Sequence, residues 1–249
     1  MQELISLLNE EVVYNFLLLF ARIIAFVAFM PIFGNPAVSA NIRVALAFFI
    51  TIFLYPIISL ESSFSQGGFI LALVSEITLG LIASLFFNFV FSAVKIVGDF
   101  IGYSTALSMG TMFDPATGAN EGFITSLLHW IALMIFFETG MYEMSVVMLV
   151  KSFSMVHLGA FDIFSYDGVD ILVSEVKRMF GFAIAIALPL AFIGFIIDIY
   201  YGYGTKSMPA FSPFVITFQL KFGLIFLFMI LGMQVFAENF TNYMLSTFK

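Results

Sequence analysis

Six ionisable side chains fall inside or at the edges of long apolar runs: Arg22, Glu76, Glu138, Glu143, Asp198 and Lys221. Charges embedded in apolar helices do one of two kinds of work. Acids that converge midway across a bilayer pass protons, as in a coupled transporter. Acids matched to cations lock helices, or neighbouring subunits, to one another. Each charge facing lipid at mid-bilayer costs about 2.5–3.5 kcal/mol on insertion scales, so both readings turn these side chains toward protein or water. Pairing is the better reading here. Glu76, Glu143 and Asp198 lie toward the ends of their runs rather than converging at the middle. Arg22 and Lys221 are cations, suited to pairing rather than to carrying protons.

Other chemistries find little footing. There is no Cys, which removes disulfide frameworks and thiolate metal sites, and His129 and His157 are too few to form a zinc cluster alone. No phosphate-cradling Gly loop, catalytic triad or metal cluster is present, so neither enzymatic activity nor a cofactor is expected. The balance of 9 Lys+Arg against 16 Asp+Glu gives a net charge of -7. That leaves no basic footprint for nucleic acid.

A second feature is the stretch 98–122, which is Gly-rich and too polar to span lipid but keeps Leu107, Met109, Met112 and Phe113. Irregular backbone at membrane depth is tolerated only where protein buries it or where it lines a water-filled cavity. Asp114-Pro115 is a turn signal, and Gly110 and Gly118 give the backbone freedom. Met is unbranched and polarizable, so a loop tipped with Met and Phe can deform and still seal. The residues that would form such a plug or gate are Leu107, Met109, Gly110, Met112, Phe113, Asp114 and Pro115. On spacing alone an ordinary buried connector is the plainer account. The run from Asp99 to Thr105 resembles that from Asp198 to Thr205, a match so short that chance is its plainer explanation.

The elements that must position these residues follow from composition. Hydrophobic residues make up 62% of the 249 and charged residues 10%, against about 25% charged in an ordinary soluble domain. Mean hydropathy is +1.10. A soluble globule of this length has no interior for so much apolar side chain, so the chain reads as a polytopic membrane protein. Six apolar segments stand out, at 12–33, 44–60, 69–97, 124–150, 180–201 and 211–236. A spanning helix needs about 20 residues. Five segments reach that length, and 44–60 is short, bent or ended by Pro56. Uninterrupted apolar runs are not the alternating pattern of an outer-membrane barrel, so the expected fold class is all-α. The segment 159–178 should end in an acidic amphipathic connector, and 202–213, with two Gly and two Pro, should be a break. The N-terminus lacks a basic n-region and a small-residue cleavage site, so the first segment is expected to be retained and the mature chain to start at Met1. Basic residues divide 3 against 4 between the two sides of an alternating topology, too evenly to orient it by the positive-inside rule. Phe is spread round every helical face. Helices apolar all round are buried, in lipid or in protein, and with embedded charges added they point to a subunit of a hetero-oligomer.

The order of short motifs resembles the FliR family of the bacterial flagellar type III export gate over nearly the whole chain. The N-terminal match is Phe20-Ala-Arg22, Pro31-Ile-Phe-Gly-Asn-Pro36, then Arg43 opening an apolar run. The middle match is Glu76-Ile-Thr-Leu-Gly80, Gly98-Asp99, Gly102, then Leu107-Ser-Met109 leading to Asp114-Pro115 and Gly118. Later come Lys151-Ser-Phe153, Leu158-Gly159, Pro189, Pro209 and Phe218-Gln-Leu-Lys221. No single motif is decisive; order, spacing and length together are specific. The chain departs from the family at Gly140-Met-Tyr-Glu143, where a His-containing stretch is common, and at 217–221, which lacks the family's Gly and Pro.

The resemblance implies one membrane-embedded export-gate domain over 1–249. Its N-terminal helical part is 1–178, with a plug-like loop at about 103–118, and 179–249 is a C-terminal helical hairpin. It implies a non-enzymatic subunit in the bacterial inner membrane at the flagellar basal body. There it would join FliP-like and FliQ-like subunits, with an FlhB-like subunit alongside and lipid around the assembly. Unfolded flagellar subunits would pass through the centre, and the loop would plug the closed channel. Beside the resemblance, the plug reading overtakes the connector reading. The equivalent subunit of a virulence injectisome and a stand-alone proton-coupled transporter remain as alternatives.

Overall fold

Inside hydrocarbon a backbone N–H or C=O has no water to bond, so apolar runs fold as helices that satisfy their own backbone. The computed structural model describes residues 10–34, 38–58, 68–105, 122–161, 168–207 and 214–248. Among these residues there are eight helices and no strand. They are α1 (Glu10–Phe29), α2 (Ala40–Leu54), α3 (Phe69–Ser104), α4 (Phe123–Glu138), α5 (Met141–Met155), α6 (Val169–Ser207), α7 (Phe214–Leu231) and α8 (Met233–Thr247). The protein is all-helical, as composition requires.

Three helices are long and apolar enough to cross a membrane singly: Glu11–Phe29, Phe69–Ser104 and Val169–Lys206. The number rises to five if α4 with α5, and α7 with α8, each count as one broken span. Both breaks fall inside segments that read as continuous. The run 124–150 stops at Thr139, and Gly140, in the left-handed region at φ 72°, starts α5. Such a φ strains a residue that carries a Cβ, which is why glycine stands there. The run 211–236 breaks at Gly232, where α7 and α8 bend by 59°. The second run ends before Pro56, whose ring nitrogen has no N–H to continue the ladder.

Two helices are longer than the sequence pattern indicates. α3 runs on through Gly98, Asp99 and Gly102, which read as the start of a loop. α6 takes in the acidic connector at its start and passes Gly202 and Gly204 at its end. A helical Gly costs about 1 kcal/mol relative to Ala, which neighbouring turns of Ile and Tyr can offset. Pro189 sits inside α6. It borders an apolar cavity of about 260 Å³ in which Val97, Ile101, Leu128, Phe228 and Phe236 are among the lining residues.

The chain divides into two units, Met1–Asn88 with Gly140–Ile171, and Phe89–Thr139 with Leu172–Lys249. In the first, α1 buries Leu18, Leu19, Ile23 and Phe26. The Phe26 ring meets Phe87 edge-on at 5.8 Å, and Asn88 Nδ2 donates to the Phe29 carbonyl at 2.7 Å. α1 and α3 approach closely at Gly80. A Cβ there would collide with the Arg22 carbonyl oxygen and lie 2.8 Å from the Ala25 Cβ. In the second unit the Phe91 ring packs on Phe136 and Phe240, and Phe182 stacks on Tyr243 at 4.7 Å.

Gly80→Ala therefore lowers stability by about 1–3 kcal/mol, the usual cost of overpacking a filled site. Gly102→Ala, where an added Cβ meets nothing within 4 Å, leaves stability unchanged or slightly raised. Thermal unfolding of the two purified variants in one detergent compares them directly.

Candidate functional site

Glu76 and Gly80 stand one helical turn apart on α3 and so share a face. The missing side chain at Gly80 lets the α1 backbone in, and that approach delivers Arg22 to Glu76. Arg22 is 1% exposed and Glu76 0%. Arg22 Nε donates to Glu76 Oε2 at 2.5 Å.

The rest of both side chains is taken up by the C-terminal end of α5. The last carbonyls of a helix lack intrahelical partners and carry the negative end of its dipole. Arg22 Nη2 donates to the Val156 carbonyl at 3.1 Å and Nη1 to Ser152 Oγ at 3.3 Å. The guanidinium carbon lies 4.2 Å from the centre of the Phe153 ring, a cation–π distance. The second carboxylate oxygen, Glu76 Oε1, accepts from the Gly159 N–H at 2.8 Å. Gly159 adopts φ 72°, which turns that N–H toward the acid. The two charges thus tie α1, α3 and the α5 exit into one hub.

A buried pair of this kind adds little net stability over a well-packed apolar replacement, but losing one partner leaves an uncompensated buried charge and costs about 3–5 kcal/mol. The hub is therefore a register device. Both oxygens of Glu76 are occupied by fixed donors.

The second unit repeats the pattern. Gly194 and Asp198 are one turn apart on α6. A Cβ at Gly194 would come 3.1 Å from Lys221 Cε and 3.3 Å from the Ser104 carbonyl oxygen. Lys221 Nζ donates to Asp198 Oδ1 at 2.9 Å and to Oδ2 at 2.7 Å. Here the burial is uneven, 11% exposed for the Lys221 side chain and 56% for Asp198. A third polar contact joins α3 to α4, where Thr125 Oγ1 donates to Asp99 Oδ1 at 2.7 Å.

Four of the six embedded charges are thus brought together in two pairs, Arg22 with Glu76 and Asp198 with Lys221. Glu138 and Glu143 join neither. Glu138 closes α4, and Glu143 lies in the first turn of α5, where it accepts from Tyr142 Oη at 2.9 Å. Both are exposed, one on each side of the break between α4 and α5. Leu107, Met109, Gly110, Met112, Phe113, Asp114 and Pro115 lie outside the described residues. Among the described residues no three His, Cys, Asp or Glu gather where they could hold a metal ion. Sequence reasoning missed Ser152, Phe153, Gly159, Asp99 and Thr125 as partners. The available signal was an acid and a glycine one turn apart in an apolar helix, which marks a close helix contact with a polar lock.

The chain matches the family described as bacterial export proteins, family 1, over residues 13–247. It is 27% identical over 223 residues to the flagellar biosynthetic protein FliR of Bacillus subtilis, covering 88% of this chain and 86% of that one. It is 23% identical over 245 residues to FliR of Aquifex aeolicus, covering 97% and 93%. It is 26% identical over 200 residues to FliR of Escherichia coli, covering 80% and 76%.

The hub makes Gly159 sensitive to substitution. Gly159→Ala, which must adopt a left-handed φ, lowers stability by about 1–2 kcal/mol. Gly159→Asn, whose side chain tolerates that region better, loses less. Urea unfolding of the detergent-solubilised variants ranks the two.

Proposed function

The chain belongs to the family of bacterial export proteins, family 1, and on that premise we propose that it is the FliR-type subunit of the flagellar protein export gate. It works as a non-enzymatic, multi-pass component of the bacterial inner membrane at the flagellar basal body. With FliP-like and FliQ-like subunits, and an FlhB-like subunit beside them, it forms the channel through which unfolded flagellar subunits leave the cytoplasm. It acts as a single membrane-embedded gate domain.

The observation that carries this reading, beyond family membership, is the outer face of α6. Phe192, Phe195, Tyr200 and Tyr203 are all more than half exposed there, and on the same helix Asp198 stays half-exposed although both its oxygens accept from Lys221. Lipid or protein covers such a face on a membrane-spanning helix, and a carboxylate left half-exposed on that helix is costly against lipid and acceptable against protein or water; neighbouring subunits would supply that protein. The transporter alternative finds less support, because Glu76 is held by fixed donors on both oxygens and Glu138 and Glu143 stand apart from both ion pairs.

The segment between α3 and α4 closes the resting channel in this reading. Its support is compositional: Met109, Met112 and Phe113 flanked by Gly110 and Gly118, a deformable apolar set between two helices. Leu107, Asp114 and Pro115 belong to the same closing segment.

Purification in mild detergent yields a complex of this chain with FliP-like and FliQ-like chains, identified by mass spectrometry. Recovery of the chain alone and fully functional as an ion transporter in vesicles would contradict the assignment. Deleting residues 107–115 leaves the complex assembled and raises the passage of ions or small dyes through the resting gate. An assembled complex with unchanged leak and normal export would count against the closing segment.

A further inference from the structure

The apolar cavity of about 260 Å³ lies wholly within the second unit. Its floor is buried: Ile101 of α3, Leu128 of α4 and Met229 of α7 are 1%, 2% and 6% exposed. Its rim is not. Ala185 and Pro189 of α6, Phe228 of α7 and Val235 of α8 also line it and are exposed. The cavity therefore opens between α6 and the α7–α8 pair. Small or missing side chains make the room: Ala185 and, at the bend between α7 and α8, Gly232. Among the described residues that line the cavity, none carries a polar side chain.

The position of the mouth says what can enter. Ala185 and Pro189 fall in the middle of the apolar run 180–201, on a helix long and apolar enough to cross a membrane. The medium beside the rim is therefore hydrocarbon and not water. Apolar cavities stay dry, and one of roughly 150 Å³ takes up benzene. Left empty, the larger space here would strip its lining of contacts on one side. A protein segment is a poor occupant, because its N–H and C=O groups would find no polar side chain to bond. A single aromatic side chain is no larger than a substituted benzene and would leave part of the space unfilled, a void that costs stability. A flexible hydrocarbon tail brings no polar group inside and can follow the shape of the walls.

We propose that this cavity is a lipid site that takes one acyl chain from the surrounding bilayer, with its tail against Ile101, Leu128 and Met229. The tail enters between α6 and α7–α8 and completes the packing that Ala185 and Gly232 leave open. The inference needs only that the chain sits in a membrane, so it stands apart from the assignment of a role in export.

The test uses the full chain in bacterial membranes supplied with phosphatidylethanolamine that carries a photoactivatable diazirine along one acyl chain. After irradiation the chain is purified and its labelled residues are mapped by mass spectrometry. Label is expected on Leu128 and Met229, which are closed to the protein surface and reachable through the cavity. Ala185→Trp, whose indole occupies the cavity, brings that label to background while label on exposed residues elsewhere on the chain persists. Should Ala185→Trp lower the yield of chain in the membrane, Val235→Trp at the exposed rim decides on the same criterion. Label confined to exposed residues in the unaltered chain overturns the site, since a protein side chain or nothing then fills the cavity. Label on Leu128 and Met229 that persists in the deciding variant also overturns it, because the floor would then be reached by another route.

Discussion

A buried charge must be met on every side or it unfolds its surroundings, and that constraint shapes the first unit of this protein. Arg22 and Glu76 are both within 1% of complete burial. Each donor and acceptor they present requires a partner at a fixed place. Apart from each other, their partners all come from one short stretch of chain, Ser152, Phe153 and Val156 at the end of α5 and the Gly159 N–H just after it, while the close approach at Gly80 brings α1 to α3. The hub thus reads out register among helices whose Phe-rich faces carry little directional information of their own. Apolar contacts are non-directional, and a helix greasy on all sides can rotate or slide with small penalty. One satisfied ion pair removes that freedom.

The second unit uses the same device with less burial. Gly194 brings Lys221 against Asp198 as Gly80 brings Arg22 against Glu76. The difference lies in what remains uncovered. Glu76 is sealed within its own unit, whereas the Asp198 side chain stays more than half exposed.

Much of this was legible in the residues. Helical class, the membrane environment and the expectation that embedded charges pair follow from 62% hydrophobic residues, 10% charged and the cost of charge in lipid. The particular pairings were not legible, because spacing along one helix says nothing about which face of another will meet it. Helix ends were misread where glycine is ambiguous. Gly98 and Gly102 looked like a loop but lie within α3, Gly98 at a tight contact with Thr125 and Gly102 with open space beside it; in sequence either reads like a glycine in a turn. Gly140 and Gly232, in contrast, do mark breaks, inside runs whose apolar character looked continuous. Glu138 and Glu143 flank the first of these breaks and are exposed there.

Holding the fold and carrying protons are the two roles open to Arg22 and Glu76. A double-mutant cycle separates them, with Arg22→Met, Glu76→Met and both together, read out as unfolding free energy and as flagellar export in cells. If the pair holds the fold, each single variant is destabilised by about 3–5 kcal/mol. The doubly apolar variant, with no charge left to strand, recovers most of the stability and supports export. A double variant with stability restored and export abolished would contradict it, because the acid would then be needed for transport itself.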